Sequence, residues 1–559
     1  MKKLLYSVLC VWVTVSLVHG QGRDTYWIEF THKPAGSYSL NQPQAFLGPR
    51  SIARRIRQGI ALDSTDLPVY APFVDSLRAL GALVKHTSKW LNGATIRIPN
   101  NDSVIRQRIL TLPFVRSALP NGRRSAYGSY SPVYKEAVVM QVAPSHLPSR
   151  TQSPWGASEA QIRLHQGDFL HNQGYRGQGL LVAVFDAGFV SMPQIRAFDS
   201  LYVRGGVLDT YDFVDMDSQV YELDGHGTYV MGCLAANLPG ELMGTAPMAQ
   251  YLLYRTENNV GGSENPVEED NWVVAAERAD SLGADVFNSS LIYTTFDVPA
   301  WNHPWSAMDG NTSRMTIASD RAAAKGILVV NSAGNYGGGP WFKIGAPADG
   351  DSVLAVGATD TLGVRVGFSS MGPSADGRIK PNVMAVGAGA ATCAIPGPGT
   401  AFVSGTSFAG PIMAGLATCL WQALPNRHAY QLFELLQRSA NRANQPDTLN
   451  GYGVPNLARA LNLAGWQGPP ISTNPNWSWG PQPCPDQSPL RLMGQHIPPG
   501  TYTLTWYQTN GQPVFSQSLP WPPESGENFV EISKPKPGFY VVNLSGDRYR
   551  QNRTCLLLP

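Results

Sequence analysis

Three side chains in this sequence have the types and settings needed for nucleophilic chemistry. Ser407 lies in GTSFAGP, Gly405 to Pro411, with glycines before and after it, and opens the apolar run IMAGLATCLWQAL. A small-residue turn at a helix start lifts a hydroxyl clear of the backbone and aims free N–H groups and the positive dipole end at whatever approaches. The same pattern also suits a serine that merely caps its helix. Asp186 follows the apolar run LLVAVF, and His226 sits in DGHGT. A serine hydroxyl is a weak nucleophile. It needs a base to take its proton, and an imidazole base needs a carboxylate to fix its tautomer and stabilise its charge. Asp, His and Ser supply those parts in that chain order.

The elements that must position them read as an α/β domain from about residue 156. GLLVAVFDAG, AQYLLYRT, DVFNSSLIY, ILVVNSAGN and VLAVGAT have the character of short buried strands, and DGHGTYVMGCLAA, NWVVAAERADSLG and ASDRAAAKG of helices. Such alternation implies a parallel sheet with helices on both faces and sites at the carboxyl ends of its strands. Glu268, Glu269 and Asp270 stand at a helix start, beside the positive dipole end.

Upstream, TYWIEF, Val69 to Leu80, ALVKHT, GATIRIP, Ser103 to Leu110 and FVRSAL give the order β-α-β-β-α-β, a small split βαβ domain up to about Pro120. The basic segment LGPRSIARRIRQG precedes the first of these helices, and Arg50, Arg54, Arg55 and Arg57 read as a solvated helix face. From residue 121 to 156 periodicity gives way to Ser, Tyr and Pro, a linker with Arg123-Arg124 as a candidate cleavage site. Beyond Leu463 a proline-rich stretch leads to YTLTWYQ, NGQPVFSQSL, NFVEIS and GFYVVNL, whose period-two alternation reads as a small β-sandwich.

Composition narrows the function. The chain has 559 residues, 43% of them hydrophobic, which suits two to four domains with one large core. A net charge of +2 gives no support to nucleic-acid binding. Lys2 and Lys3 before the apolar run Leu4 to Val18 read as a secretory signal cut before Gln21, since the run is short for a membrane span. Cys10 leaves with it. Of the remaining cysteines, Cys233 and Cys419 fall on apolar helical runs as buried thiols, and Cys484 and Cys555 flank the last domain as a candidate pair. No CxxC or HExxH motif offers a catalytic zinc site, and no compact Asp-rich loop offers calcium ligands. No cofactor is expected to be required, and structural calcium is left open, since only a loop of the EF-hand type is excluded.

Taken together, these motifs resemble the subtilisin-like serine peptidases, the subtilases. FDAG resembles the family's aspartate motif, DGHGTYVMG its histidine motif and GTSFAGP its serine motif, over about residues 156 to 465. The order Asp, His, Ser agrees, whereas an α/β-hydrolase would run Ser, acid, His around G-x-S-x-G, and Ala409 replaces that second glycine. The resemblance implies a carboxylate Asp186, a base His226, a nucleophile Ser407, and Asn335 of NSAGN as oxyanion donor. It also implies that Ser290, Leu291 and Ile292 pair with a bound peptide, with Ile292 where the family has glycine, and that Gly345 floors the side-chain pocket before a cis-proline turn at Ala346-Pro347. Trp301, His303 and Trp305 are expected to lie outside the ligand contacts.

The implied organisation is a signal (1–20), a subtilase-type propeptide acting as intramolecular inhibitor (21–122), a linker (123–155), the catalytic domain (156–465), a proline-rich linker (466–483) and a C-terminal sandwich (484–559). The last is similar to the sorting domain of type IX secretion cargo: PCPDQSPLRL, NGQPVFSQSL, PGFYVVNL and TCLLLP fall in the family's order, with Cys484-Pro485-Asp486 replacing its opening Pro-Asn-Pro. A carbohydrate-binding or interaction module is the alternative. The activity implied is hydrolysis of peptide bonds in protein substrates by a protein secreted or held at the cell surface. A catalytically silent binding protein and a serine esterase or acyltransferase share the same residues.

Overall fold

The computed structural model describes residues 23–124 apart from 35, 100 and 101, then 141–142, 153–466 apart from 260–262, and strands between 476 and 557. The expected signal, most of both linkers and the Cys484–Cys555 pairing lie outside the described residues.

A seven-stranded sheet forms the centre, in the spatial order Val383–Val386, Val353–Thr359, Leu328–Ser332, Val286–Ser289, Leu181–Asp186, Gln250–Arg255 and Val207–Asp212. All neighbouring strands run parallel. The alternation of side chains explains why these strands are apolar throughout. Val182 and Val184 enter one core, while Leu181, Ala183 and Phe185 enter the other, on the opposite face. Val286 and Phe287 divide in the same way. Leu181–Asp186 is the first strand of the sheet in chain order; the next two strands lie to one side of it and the last four to the other, so Asp186 ends the strand at which the order switches.

The helix Thr406–Ala423 is buried along nearly its whole length beneath this sheet. That is why its sequence is apolar all round rather than amphipathic. The buried, unpaired thiols of Cys233 and Cys419 match the sequence reading, and Cys393 is a third. Burial raises the thiol pKa of all three.

The N-terminal domain is a four-stranded antiparallel sheet in the order Leu83–Ser88, Gly93–Pro99, Arg23–Phe30, Val115–Arg124. One face holds its own core of Ile28, Phe30, Phe73, Leu77, Ile96 and Ile98. The other lies on the long helix Val267–Leu282 of the central domain. There Thr95 donates to Asp270 at 2.9 Å and Lys85 to Asn271 at 2.6 Å, and the backbone N–H groups of Lys89 and Trp90 donate to Glu277 at 2.9 and 3.0 Å.

Two features depart from the sequence expectation. The last strand continues through Asn121 and Gly122 to Arg124, which pairs with Arg23, so Arg123-Arg124 ends a strand rather than lying in a linker. Asn121, which looked like a linker start, turns its amide onto buried Asp270 instead. The arginine helix Pro49–Gln58 is not a solvated face. Arg50 and Arg57 are partly exposed, but Arg54 and Arg55 are buried against Asp280 of the central domain. Local charge pattern could not reveal a partner so far away in sequence.

At the other end of the chain, Asn476–Gly480, Leu490–Gln495 and Phe529–Ile532 form one antiparallel sheet, and four strands from Gly500 to Leu557 form a second. Leu492 and Ile532 of the first share a core with Leu504, Trp506 and Val542 of the second. This is a sandwich, as the alternation implied.

Candidate active site

Asp186 and His226 meet at the carboxyl end of the sheet. Asp186 ends its strand fully buried, and its Oδ1 accepts from His226 Nδ1 and from the Ala187 N–H, both at 2.8 Å. Its Oδ2 is buried without a hydrogen-bond partner. Burial pushes the Asp186 pKa above the usual carboxylate range, with the neighbouring His226 pulling the other way.

His226 opens the helix His226–Ala235, and its backbone N–H donates to Asp224 Oδ1 at 2.7 Å. The glycine after it is required by packing: a Cβ on Gly227 would lie 2.4 Å from the Gly188 carbonyl oxygen. The strand end and the helix start therefore approach closely enough for carboxylate and imidazole to touch.

Ser407 is in the first turn of its helix. Its Oγ lies 3.4 Å from the Ser290 carbonyl oxygen, and its own carbonyl accepts from the Ser290 hydroxyl at 2.9 Å. The ring of Phe408 is 5.7 Å from that of His226, centroid to centroid. Asn335 approaches from the end of the NSAGN segment. Its Oδ1 accepts from the Thr406 N–H at 2.8 Å and the Thr406 hydroxyl at 2.9 Å. The Thr406 Oγ1 in turn accepts from the Gly334 N–H at 3.1 Å. With the oxygen committed to Thr406, the amide presents its Nδ2 donors away from it, and Nδ2 lies beside Gly405. Thr406 is thus a positioning residue that sequence reasoning missed, although it stands inside the same GTS triplet.

Ser290–Ile292 follow the strand Val286–Ser289 rather than extending it. The Leu291 carbonyl accepts from Asn331 Nδ2 at 3.1 Å, and Tyr293 pairs with Ala346 in an antiparallel bridge. The Ala346–Pro347 bond is cis, as the resemblance implied. Gly345 is closely covered: a Cβ there would lie 2.7 Å from Ile292 Cγ2 and 2.6 Å from Thr294 Cγ2. Ile292 and Trp305 pack against the same small cluster, which includes Ala333 and Ile344. His303 pairs with Glu269 at 2.7 Å, and Trp301 packs on the core under the helices.

Among the described residues, Glu257, Glu264 and Glu268 place carboxylate oxygens within 4.8 Å of one another. Tyr293 donates to Glu257, and the N–H groups of Asn258 and Asn265 donate to Glu268 at 2.9 and 3.1 Å, so protein donors serve these acids.

Residues 177–454 match the model of the Subtilase family, Peptidase S8, and residues 25–129 match the Peptidase S8 propeptide domain of Bacteroidota. Over 292 residues the sequence is 32% identical to the subtilisin of Bacillus pumilus, covering 51% of this chain and 91% of that protein. The chain belongs to the subtilase family. Subtilisin E of Bacillus subtilis (strain 168) is also 32% identical over 292 residues, 51% of this chain, and the match spans 66% of its length. Alkaline elastase YaB of Bacillus sp. (strain YaB) is 30% identical over 308 residues, 55% of this chain and 70% of the relative. The solved MycP3 protease of the type VII (ESX-3) secretion system aligns with a TM-score of 0.46 at 23% identity, covering 58% of this chain and 92% of that one. The subtilase family is one of serine endopeptidases, and this member carries the family's propeptide domain in front of its catalytic domain.

Proposed function

We propose that the chain is a secreted serine endopeptidase, made as a zymogen, in which His226 takes the Ser407 proton while Asp186 holds the imidazole. The observation that carries this reading is the Asp186–His226 hydrogen bond at 2.8 Å, placed beside the first turn of the Ser407 helix. The hydroxyl attacks the peptide carbonyl, the Asn335 amide and the Ser407 N–H hold the oxyanion, and His226 returns the proton to the leaving amine. An acyl-enzyme forms and water then hydrolyses it. Ser290–Ile292 pair with the substrate main chain, and Gly345 floors the pocket. The C-terminal sandwich serves export through type IX secretion machinery.

The test is labelling by a fluorophosphonate probe after the propeptide is gone, with the adduct mapped by mass spectrometry. A single adduct on Ser407, in material whose N-terminus lies after about Arg123, is expected. Absence of any adduct would favour a binding protein on this fold, and turnover of esters without peptides would favour an esterase.

The covered Gly345 gives a second expectation. Ile292 Cγ2 occupies the space over the pocket floor, so small side chains are preferred at the cleaved position. Ile292→Gly is expected to raise kcat/KM for phenylalanine over alanine at that position by about 10-fold or more, the usual size for a few methylenes of pocket volume. A series of tetrapeptide anilides differing at that residue reads it directly, and an unaltered ratio would contradict the pocket assignment.

A further inference from the structure

The best-built polar site outside the cleft lies where two helices of the catalytic domain end side by side. Val267–Leu282 stops at Gly283, and Arg314–Ala324 stops at Lys325 and Gly326. Their ends leave the carbonyls of Ala284 and Lys325 outside the helical ladders, and both helices present the negative end of their dipoles there. Asp280, fully buried, adds a formal charge in the same place. These acceptors form a buried group whose one cation from the catalytic domain, Lys325, is turned to Asp66.

The propeptide meets these acceptors with guanidinium groups. Arg54 Nε donates to the Lys325 carbonyl at 3.1 Å, and its two terminal nitrogens reach the Ala284 carbonyl and Asp280 Oδ1. Arg55 bridges Asp280 Oδ2 at 2.9 Å and Asp66 at 2.7 Å, and Lys325 Nζ closes the network on Asp66 at 3.0 Å. Both arginine side chains are 1–2% exposed. Gln58, one turn further on, donates to the Gly326 carbonyl at 2.7 Å and accepts from the Ala429 N–H at 3.1 Å. Backbone fit is equally close: Gly48 N–H donates to the Ser281 carbonyl at 2.7 Å, and a Cβ on Gly283 would lie 2.3 Å from Arg50 Cβ. A guanidinium fork, with three nitrogens donating in fixed directions, suits two carbonyls and a carboxylate that converge on one side chain better than an ammonium does.

We propose that the catalytic domain carries a guanidinium receptor at these two helix ends, and that Arg54 and Arg55 make the segment 48–58 a latch that holds the propeptide independently of the cleft. It rests on the propeptide reading of the N-terminal domain but not on catalysis. Breaking the latch means withdrawing both guanidinium groups, and with them the cations that the N-terminal domain sets against the buried carboxylate of Asp280.

The test uses the full chain carrying Ser407→Ala, with a site-specific protease sequence inserted between residues 125 and 140 and cut after purification. The two pieces are expected to co-elute in size exclusion at micromolar concentration. Arg54→Met with Arg55→Met, and separately Asp280→Asn, are expected to weaken the association by on the order of 100-fold or more. The partly exposed Arg50→Ala with Arg57→Ala is expected to change it by less than about 10-fold. Pieces of the Arg54/Arg55 and Asp280 variants that stay together as tightly as the parent would overturn the latch. Should those variants fail to fold before cutting, hydrogen exchange on the cut, otherwise unaltered chain decides. Amides 52–60 protected as strongly as the strand 93–99 support the latch, and rapid exchange there overturns it. Because the serine is absent throughout, failure of the peptidase reading would leave this outcome unaffected.

Discussion

Ser407→Ala is expected to lower turnover of a peptide substrate by about 10⁶-fold, and adding His226→Ala to it is expected to cost almost nothing further. That is the size of loss expected where nucleophile and base act as one unit, as they do in subtilisin, so that removing either disables both. The structural reason lies in the first turn of the helix Thr406–Ala423. Ser407 Oγ lies 3.4 Å from the Ser290 carbonyl, a long contact that contributes little to holding the turn. The fold is better fixed by neighbours: the Ser290 hydroxyl reaches the Ser407 main-chain carbonyl at 2.9 Å, and Thr406 ties Asn335 in place. Neither contact uses the Ser407 hydroxyl. Its loss should therefore leave melting temperature within a few degrees while removing nearly all activity. A helix-capping serine would give the reverse, a cost of about 1 kcal/mol in stability with catalysis retained. Measuring kcat/KM and thermal unfolding on the same preparations separates the two. Additive losses from Ser407→Ala and His226→Ala would mean that the residues do not act on one proton.

How much of this arrangement could be read from the chain depends on how local its causes are. Asp186, His226, Asn335 and Ser407 stand in short motifs whose glycines are needed for close approach, as at Gly227, so their sequence context carries the geometry. The central strands announce themselves because burial on both faces makes LVAVFD and VLAVGAT apolar throughout. The two edge strands do not. VLDTYD, partly exposed, carries polar side chains between its apolar ones, and VMAV is four residues long behind a proline, so neither has a run that separates it from loop. Arg54 and Asp280 lie 226 residues apart, and nothing in a basic helix reports whether an acid waits in another domain. Thr406 is the intermediate case. Its place in GTS was visible, but its role in orienting the Asn335 amide depends on two loops that meet only in the folded chain.

Asp186→Asn should lower kcat by about 10⁴-fold without unfolding the protein. Asparagine is nearly isosteric, and its Oδ1 can still accept from the Ala187 N–H. Two orientations of the amide are open to it, and both fail. If the oxygen keeps facing Ala187 and His226, the imidazole stays in the useful tautomer but the imidazolium formed during attack loses its counter-charge. If the amide turns, an N–H faces Nδ1, the ring proton moves to Nε2, and His226 cannot accept the serine proton. Stability moves differently. Burial raises the Asp186 pKa above its ordinary value of about 3.9, so the ionised carboxylate burdens the fold at every pH above its folded-state pKa. As pH falls through that pKa the carboxyl protonates and the burden is lifted. The asparagine variant never carries it. Its stability relative to the parent should therefore be most favourable near pH 7 and should decline as the pH falls toward 4, while its activity stays low throughout. Chemical denaturation of both Ser407→Ala backgrounds across that range reads the difference without self-digestion. A difference that grew on acidification would mean that Asp186 is held ionised by its surroundings rather than against them.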